Sequence, residues 1–279
     1  MKIISLGYSP CPNDTFIFYA LTHNKINAGE LYFDEVLLDV ETLNQKALNA
    51  ELDVTKISYA AFGQLRKDYC LLRSGGAIGR GCGPLVVSKH AYEMEDLRDK
   101  RVAIPGNLTT AFLLLQLYDN VFRSSSIVPM PFHEIMQAVS REDVDAGVII
   151  HESRFTYQSF GLSAIIDLGD WWEKETGLPI PLGGIIARRS LGNKMIKQID
   201  DSIKQSILYA FDNRQTPVDY IKLHSQELSD DVITQHINLY VNDFSVDLGE
   251  EGEKSVSELL ARAEDAKIIP KINNSVFIS

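Results

Sequence analysis

Short apolar segments alternate with amphipathic segments along most of the chain, and this alternation limits the possible folds more than any other feature. Helical patterns fill most of the intervals. One predicted helix begins near Asn13 and Asp14, which are residue types that cap helices, and another covers residues 193–211. The alternation predicts an α/β fold. The predicted strands are residues 3–6, 31–38, 55–58, 85–88, 101–105, 146–150, 164–168 and 184–187.

The chain has 279 residues, more than the roughly 100–150 of a typical domain, so its length favours two domains. Two segments rich in glycine and proline, residues 75–84 and 177–184, interrupt the pattern where a chain could pass between domains. The alternative is that both are ordinary loops. We expect one lobe of residues 1–86 and 187–279, a second lobe of 87–186, and crossings near 82–88 and 182–188. This is the plan of type II periplasmic binding proteins, which close by hinge motion on a ligand between the lobes.

The charge balance argues against partners that carry negative charge. The chain has 27 Lys and Arg against 38 Asp and Glu, a net charge of −11, and it has no run of basic residues. Such a chain is repelled by nucleic acid and by anionic lipid. The longest apolar stretch, around residues 111–115, is far shorter than the roughly 20 residues that cross a bilayer. We therefore expect a small-molecule partner, no nucleic acid and no membrane; the sequence does not indicate an oligomeric state.

The cysteines indicate a reducing compartment. Cys11, Cys70 and Cys82 are odd in number and form no CxxC motif, so neither a zinc knuckle nor a complete set of disulfides is predicted. The first residues stop being apolar before a signal-peptide core could form. We expect a cytoplasmic protein.

Common catalytic motifs are absent from the sequence. It contains no GxSxG, HExxH or GxxxxGK[ST], and the glycines at 79, 81 and 83 fail GxGxxG because Pro84 and Leu85 follow. None of the six histidines lies three or four residues from another, so a histidine metal site would need long-range assembly. We expect neither a metal nor a nucleotide cofactor.

His151 follows a predicted buried strand, residues 146–150, and ligands of open α/β sheets bind at the carboxyl ends of strands. A histidine with a pKa near 6.5 can accept a proton at neutral pH. The residues after it, Glu152, Ser153, Arg154 and Tyr157, add polar groups to the same loop, and we expect Glu152 to pair with Arg154 and orient the site. The alternative is a histidine that is simply held by hydrogen bonds at a strand end.

Three further places could bind an acidic ligand. Thr109 and Thr110 stand between a predicted strand and an apolar helix, where backbone N–H groups suit a carboxylate; one Thr could equally be only a helix cap. The segment Lys56, Ile57 and Ser58 offers a cation and a hydroxyl at another strand end. Arg80, within the first glycine-rich segment, could pair with a substrate acid, although surface solvation explains it equally well.

Several uncommon motifs occur together in order, and they extend almost from end to end of the chain. They are SPCPNDTF at 9–16, KISYAA at 56–61, RSGGA at 73–77, IIHESRFTY at 149–157, TGLP at 176–179 and LGEEG at 248–252. Together they resemble the 1,4-dihydroxy-6-naphthoate synthases of the futalosine route to menaquinone, enzymes with a periplasmic-binding-protein-like fold.

The resemblance implies a lyase that acts on cyclic dehypoxanthinyl futalosine and releases 1,4-dihydroxy-6-naphthoate without a metal or organic cofactor. It implies that His151 is the proton acceptor and that the positions Lys56–Ser58 and Thr109–Thr110, together with Asn44, line the substrate pocket. Two alternatives stay open at this point. One is the sibling chorismate dehydratase, and the other is a binding protein that holds an aromatic carboxylate without converting it.

Overall fold

The computed structural model describes residues 2–123, 126–225 and 229–277, and within them it contains two β-sheets. The strands are β1 (Lys2–Tyr8), β2 (Leu31–Leu37), β3 (Val54–Ser58), β4 (Tyr69–Leu71), β5 (Ala77–Gly79), β6 (Leu85–Ser88), β7 (Val102–Ile104), β8 (Ile127–Pro129), β9 (Ala146–Ile149), β10 (Ser163–Asp167) and β11 (Ile180–Arg188). Sheet A has the order β2-β1-β3-β11-β4, with β5 also paired to β11, and sheet B has the order β10-β6-β9-β7-β8.

Helices connect most of the strands. They are α1 (Pro12–Thr22), α2 (Val40–Leu48), α3 (Tyr59–Leu65), α4 (Thr110–Tyr118), α5 (Phe132–Ser140), α6 (Ser153–Thr156), α7 (Leu168–Thr176), α8 (Asn193–Asp212), α9 (Val218–His224), α10 (Asp230–Tyr240), α11 (Asp243–Val246) and α12 (Gly249–Asp265). Short 3₁₀ helices occupy Met94–Asp99, Asn120–Arg123, Tyr157–Phe160 and Arg189–Leu191. None of the helices in the described ranges is long and apolar enough to span a bilayer.

Both sheets are mixed. In sheet A, β1 runs parallel to β2 and β3, while β11 runs antiparallel to β3, β4 and β5. In sheet B, β7 runs parallel to β8 and β9, while β6 runs antiparallel to β9 and β10. Parallel neighbours need a crossover, which α1 supplies between β1 and β2. The predicted α/β class is therefore confirmed.

The chain changes sheet twice, between Gly79 and Leu85 and again between Asp167 and Ile180. The first change lies within the first glycine-rich segment. The second precedes β11, which belongs wholly to sheet A although the expected boundary at residues 186 and 187 would cut it. The lobe boundaries at single-residue precision stay a prediction.

Amphipathic helices cover sheet A as the periodicity predicts. Helix α8 buries Ile196, Ile199, Ile203 and Ile207, which repeat at intervals of three and four residues, and it packs against α1. Both faces of β3 are covered, and all five of its residues are buried. Continuous burial is typical of strands with helices on both sides.

Two glycines bring the first crossing close to the start of α7. A Cβ atom built on Gly83 would lie 2.3 Å from the backbone of Gly169, and one built on Gly169 would lie 2.7 Å from Gly83. No side chain fits at either position, so this contact requires glycine on both sides. This contact holds the first crossing segment against the start of α7.

The start of α1 differs from the expectation. Cys11 occupies the N-cap and Pro12 the first helical position. Asn13 and Asp14 are therefore the second and third residues of the helix. Neither caps the helix. Both side chains are buried and contact each other instead.

Thr109 caps α4 through its side chain. Its Oγ1 accepts the N–H of Phe112 at 3.3 Å and donates to the carbonyl of Gly106 at 2.8 Å. We expect Thr109→Ala to lower the free energy of unfolding by roughly 0.5–2 kcal/mol, the usual cost of losing such a cap. Thr109→Ser keeps the hydroxyl and should stay within a few tenths of the parent protein. Urea denaturation measures both, and equal stability of the two variants would contradict the cap.

Candidate active site

A cavity lies between the two sheets, where several strand ends and helix starts converge. Its walls come from the start of α1, the end of β3, the start of α4, the residues after β9 and the middle of β11. The free space is about 80 Å³, whereas pockets for drug-sized ligands have about 300–1,000 Å³. A ligand of that size therefore needs the lobes to move apart.

His151 lines this cavity, two residues beyond β9. Its backbone is left-handed, with φ 57°, a conformation that non-glycine residues seldom adopt and that turns the side chain out of the strand direction. The ring of Phe132 lies 5.1 Å from its ring and that of His236 lies 5.9 Å away, stacked within 7° of parallel. Apolar and aromatic groups thus enclose much of the imidazole.

This enclosure keeps the imidazole neutral. Burial lowers the pKa of His151 to about 4; the Asp14 carboxylate acts against this shift, and the Lys56 ammonium adds to it. The expected pKa near 6.5 is therefore wrong for this environment. A neutral ring carries one free lone pair at pH 7, and such a nitrogen can accept a proton.

Lys56 contributes to the cavity wall, but its charge is already matched. Its Nζ lies 3.2 Å from Oδ1 of Asp14 and donates to the carbonyl of Gly75 at 2.8 Å. Asp14 also accepts from Ser9, at 3.2 Å from the backbone N–H and 2.7 Å from the hydroxyl. The pair is buried on both sides, so Lys56 stabilises the wall of the cavity and is not a free cation for a ligand.

Ser58 and Asn44 form a second polar element of the wall. Asn44 accepts the backbone N–H of Ser58 at 2.9 Å through Oδ1 and donates to its hydroxyl oxygen at 3.2 Å through Nδ2. The Ser58 hydroxyl thereby keeps its own proton available for an acceptor in the cavity. Asn44 is fully buried and supports Ser58 from behind, while Ile57 lines the cavity beside it.

The two threonines lie at the cavity, but their hydroxyls are engaged. Thr110 donates to the carbonyl of Leu182 at 2.6 Å and accepts the N–H of Ala60 at 3.2 Å, which ties α4 to sheet A and α3. Thr109 caps α4, as described above. The first N–H groups of a helix have no backbone partners inside the helix, so the groups of this segment that could contact an anion are backbone N–H groups other than that of Phe112, which Thr109 caps.

Glu41 already contacts this region from the other lobe. Its two carboxylate oxygens accept the N–H of Leu108 at 3.1 and 3.3 Å. Asn44 approaches the carbonyl of the same residue at 3.5 Å. A carboxylate is therefore accommodated at the loop before α4, and this contact joins α2 to sheet B.

Arg80 lies outside the cavity, contrary to the expectation from its charge. The side chain is half exposed, with Nη2 3.0 Å from Glu251, Nη1 3.5 Å from Glu173 and a hydrogen bond to the carbonyl of Gly177 at 3.0 Å. These acidic partners are distant in the sequence. They direct Arg80 to a surface network.

The expected pair between Glu152 and Arg154 does not form. Arg154 binds Asp167 at 2.6 Å and the carbonyl of Gly83 at 2.6 Å, so it joins the place where the chain enters sheet B to the place where it leaves. Glu152 instead lies with an oxygen 3.7 Å from Nδ1 of His236.

Sequence reasoning missed several groups at the site. His236 on α10 is fully buried and donates or accepts at 2.9 Å with Asn13. His236 lies in an amphipathic helical segment with no motif around it, so the local sequence gave no sign of a functional role. Asn13 and Asp14 were predicted to be helix caps. Their membership of the SPCPND motif was the sequence feature that could have marked them as site residues. The Sγ atom of Cys11, a ring nitrogen of His151 and a carboxylate oxygen of Glu152 all lie within 4.8 Å of one another. Within the described ranges, these are the side chains close enough together to hold one metal ion.

The arrangement combines a neutral histidine, a hydroxyl donor and a helix start in one small cavity between the two sheets. Such a site can remove a proton from a bound molecule and stabilise the negative charge that develops on it. Exclusion of water strengthens both effects.

Comparisons with known proteins show the family of the chain. A sequence family described as menaquinone biosynthesis matches residues 4–265. A curated protein of Thermus thermophilus named 1,4-dihydroxy-6-naphthoate synthase is 50% identical over 264 residues, which cover 95% of each chain.

Solved structures give the same fold. A crystal structure of an Archaeoglobus fulgidus protein superposes with a TM-score of 0.90 at 37% identity and covers 96% of this chain and 98% of that one. The periplasmic aliphatic sulphonate binding protein of Escherichia coli superposes with a TM-score of 0.67 at 12% identity, covering 97% and 89%, and this likeness concerns the fold alone. The predicted periplasmic-binding-protein-like fold is confirmed, and the chain belongs to the menaquinone biosynthesis family.

Proposed function

We propose that this protein is a lyase that forms 1,4-dihydroxy-6-naphthoate from cyclic dehypoxanthinyl futalosine in menaquinone biosynthesis, with no metal or organic cofactor. The observation that carries the proposal is the position of His151 at the end of β9, in the cavity that also contains the start of α4. The Thermus thermophilus relative bears the name of this activity. A small-molecule substrate between two lobes fits the fold.

In the proposed reaction, His151 removes a proton from a carbon next to a carbonyl group. The C–H electron pair moves towards the carbonyl, and cleavage of a carbon–carbon or carbon–oxygen bond then releases the sugar-derived portion and completes the aromatic ring. Such a step needs a base, orientation and exclusion of water. The imidazolium returns its proton to the departing portion, which restores the neutral base.

Recognition is assigned to groups on both sides of the cavity. Backbone N–H groups at the start of α4 suit a carboxylate or an enolate oxygen, and the Ser58 hydroxyl donates from the other side. Lys56 and Asn44 hold this wall in place through Asp14 and Ser58. Because the cavity is small, the substrate enters an opened cleft and the lobes close on it.

The remaining expectations fit this role. The described cysteines are unbridged and buried, which suits a cytoplasmic enzyme. We propose, as from the sequence, that the two terminal parts of the chain form one lobe and the middle part the other, with the boundaries moved from 86 and 186 to the two changes of sheet so that neither β6 nor β11 is cut. Neither nucleic acid nor a membrane is needed for the activity.

Replacement of the base should separate chemistry from binding. We expect His151→Asn to lower kcat by roughly 10²- to 10⁴-fold, the usual contribution of general base catalysis, and to leave the Kd for the naphthoate product within a few-fold. Asn suits the test because it tolerates the left-handed backbone of this position.

The control for this variant is His90→Asn, which changes an exposed histidine outside the cavity and should retain full activity. Single-turnover kinetics and calorimetry with the product give the two quantities. Wild-type turnover by His151→Asn would transfer the role of base to another group. If the parent protein does not convert the futalosine derivative but dehydrates chorismate, the chorismate dehydratase alternative is favoured. If it only binds the product, the alternative of a binding protein is favoured.

The pH dependence provides a second test of His151. The base is active when it is unprotonated, so kcat/KM should rise with pH through the pKa of the free enzyme. With that pKa lowered to about 4, kcat/KM should change little between pH 6 and 8, about two to four units above it, and should fall only towards pH 4. Initial rates in constant-ionic-strength buffers measure this profile, and a half-maximal value near pH 6.5 would contradict a buried, neutral His151.

Ser58 provides a test of recognition. Ser58→Ala removes a donor to a charged ligand group, a loss of roughly 1.5–3 kcal/mol or about 10- to 150-fold in product affinity. Ser202→Ala is the matched control, because that hydroxyl is buried in α8 and donates only to its own helix at Gln198. Calorimetric affinities of the two variants that differ by less than a few-fold would remove Ser58 from the site.

A further inference from the structure

Tyr240 lies at the end of α10 and lines the cavity, although the proposed reaction gives it no task. Only 7% of the residue is exposed. In the described ranges its hydroxyl makes no hydrogen bond. Its ring packs against His236, with 4.7 Å between the ring centres. A tyrosine hydroxyl this deeply buried usually has a hydrogen-bond partner, and at this position an entering ligand can supply it.

Most other hydroxyl groups of the cavity wall are engaged with protein groups. Thr109 and Thr110 donate their hydroxyl protons to backbone carbonyls, and Ser9 donates its own to a carboxylate. Ser58 accepts a hydrogen bond through its hydroxyl oxygen and keeps the proton. Among the described residues that line the cavity, Ser58 and Tyr240 therefore have hydroxyl protons that a ligand can accept.

A second buried tyrosine shows the same unpaired group away from the cavity. Tyr59 is fully buried, and its hydroxyl has no partner in the part of the chain that the structure describes. It lies against β11, where a Cβ atom on Gly184 would be 2.9 Å from the hydroxyl oxygen. Protein atoms thus enclose Tyr59, whereas Tyr240 borders free space. Only the second hydroxyl is placed to serve a ligand.

Tyr240 lies near the proposed base. His236 is a neighbour of both residues, since its ring centre lies 5.9 Å from that of His151 and 4.7 Å from that of Tyr240. Asn13 binds His236 at 2.9 Å and holds this ring from α1. The free space in the cavity is only about 80 Å³, so a group that fills it beside His151 also lies near Tyr240.

The Tyr240 hydroxyl stays protonated in this place. Burial raises its pKa above the ordinary value for tyrosine, the nearby Cys82 thiol adds to the rise, and the Arg154 guanidinium acts against it. Tyr240 therefore donates a hydrogen bond at any working pH and does not act as a base.

We propose that the Tyr240 hydroxyl donates a hydrogen bond to the substrate oxygen that becomes negatively charged when His151 removes the proton. This is the carbonyl oxygen of the proposed reaction, and it remains in the naphthoate as a ring hydroxyl oxygen. The electron pair of the C–H bond reaches this oxygen before it moves on to the bond that breaks. No bond of Tyr240 forms or breaks, and the hydrogen bond strengthens as the charge grows.

The inference rests on the proposed function and adds a catalytic residue to it. A substrate acid and a developing oxyanion need separate donors, because like charges repel each other. Backbone N–H groups at the start of α4 and the Ser58 hydroxyl are assigned to the acid. Lys56 is matched by Asp14, so Tyr240 is the remaining hydroxyl of the described wall that can serve the second charge.

Tyr240→Phe removes the hydroxyl and keeps the ring against His236. We expect kcat to fall by about 10²- to 10³-fold, the usual effect of losing one donor to an oxyanion. Because the hydroxyl does not titrate near neutral pH, the loss should be equal at pH 6 and pH 8. Tyr59→Phe is the matched control, since it removes an unpaired buried hydroxyl outside the cavity and should retain the parent activity. Parent activity in Tyr240→Phe, or equal losses in both variants, would overturn the proposal.

Ligand binding tests the contact without turnover. The two probes are 1,4-dihydroxy-6-naphthoate and naphthalene-2-carboxylate, which has the same rings and acid but no hydroxyl groups. In calorimetry, Tyr240→Phe should bind the dihydroxy compound about 2- to 10-fold more weakly than the parent protein, the effect of one neutral hydrogen bond. It should bind naphthalene-2-carboxylate as tightly as the parent does. An equal loss for both probes, or no loss for either, would refute the hydrogen bond to the ring oxygen.

The two measurements separate this inference from the proposed function. If the parent protein converts the futalosine derivative and Tyr240→Phe converts it equally fast, the role of Tyr240 is wrong and the proposed function stands. If Tyr240→Phe loses affinity for the dihydroxy compound alone, but the parent protein converts no futalosine derivative, the proposed function is wrong and the hydrogen bond from Tyr240 stands.

Discussion

The buried ion pair between Lys56 and Asp14 supports the whole site, because it joins the start of α1 to the end of β3 at the cavity wall. Its ammonium and carboxylate are both almost fully enclosed, and Ser9 and Gly75 satisfy their remaining hydrogen bonds. Loss of one partner from such a pair costs roughly 3–5 kcal/mol, since it leaves an unmatched buried charge. The same two charges act on His151 with opposite signs, so the pair adds only a small field to the effect of burial on its pKa.

With Lys56 neutralised by Asp14 and Arg80 on the surface, the anion binding that we propose for the cavity depends on backbone dipoles and the Ser58 hydroxyl. Backbone N–H groups at the start of α4 are fixed by the cap of Thr109 and by the bond from Thr110 to Leu182. Such preorganised donors require little rearrangement as negative charge develops on a substrate. The threonines thus act through the backbone that they position, which explains why their hydroxyls are engaged with protein groups.

The sequence predicted those features that depend on local pattern. Each of the eight predicted strands corresponds to an observed strand, whereas the three-residue strands β4, β5 and β8 were missed. The equally short β7 was predicted because it lies inside the longer segment 101–105. Sequence motifs led to His151 and Ser58, which line the cavity, and to Asn44, which lies behind Ser58 rather than at the cavity itself. Arg80 and His236 could not be located, since their surroundings consist of residues far away in the sequence, and the pKa of His151 depends on burial that no motif encodes.

Burial determines what kind of base the proposed His151 would be. The rings of Phe132 and His236 lie against the imidazole and burial lowers its pKa to about 4, which keeps it neutral but makes it a weaker base. A weak base can remove a carbon-bound proton only if the anion that forms is strongly stabilised, and in the reaction that we propose both the α4 N–H groups and the developing aromatic ring would provide that stabilisation. The contact of Glu41 with Leu108 joins the lobes beside these N–H groups. Under the proposed function, a substrate carboxylate that bound there would compete with Glu41, and opening of the cleft and binding of the acid would be coupled steps.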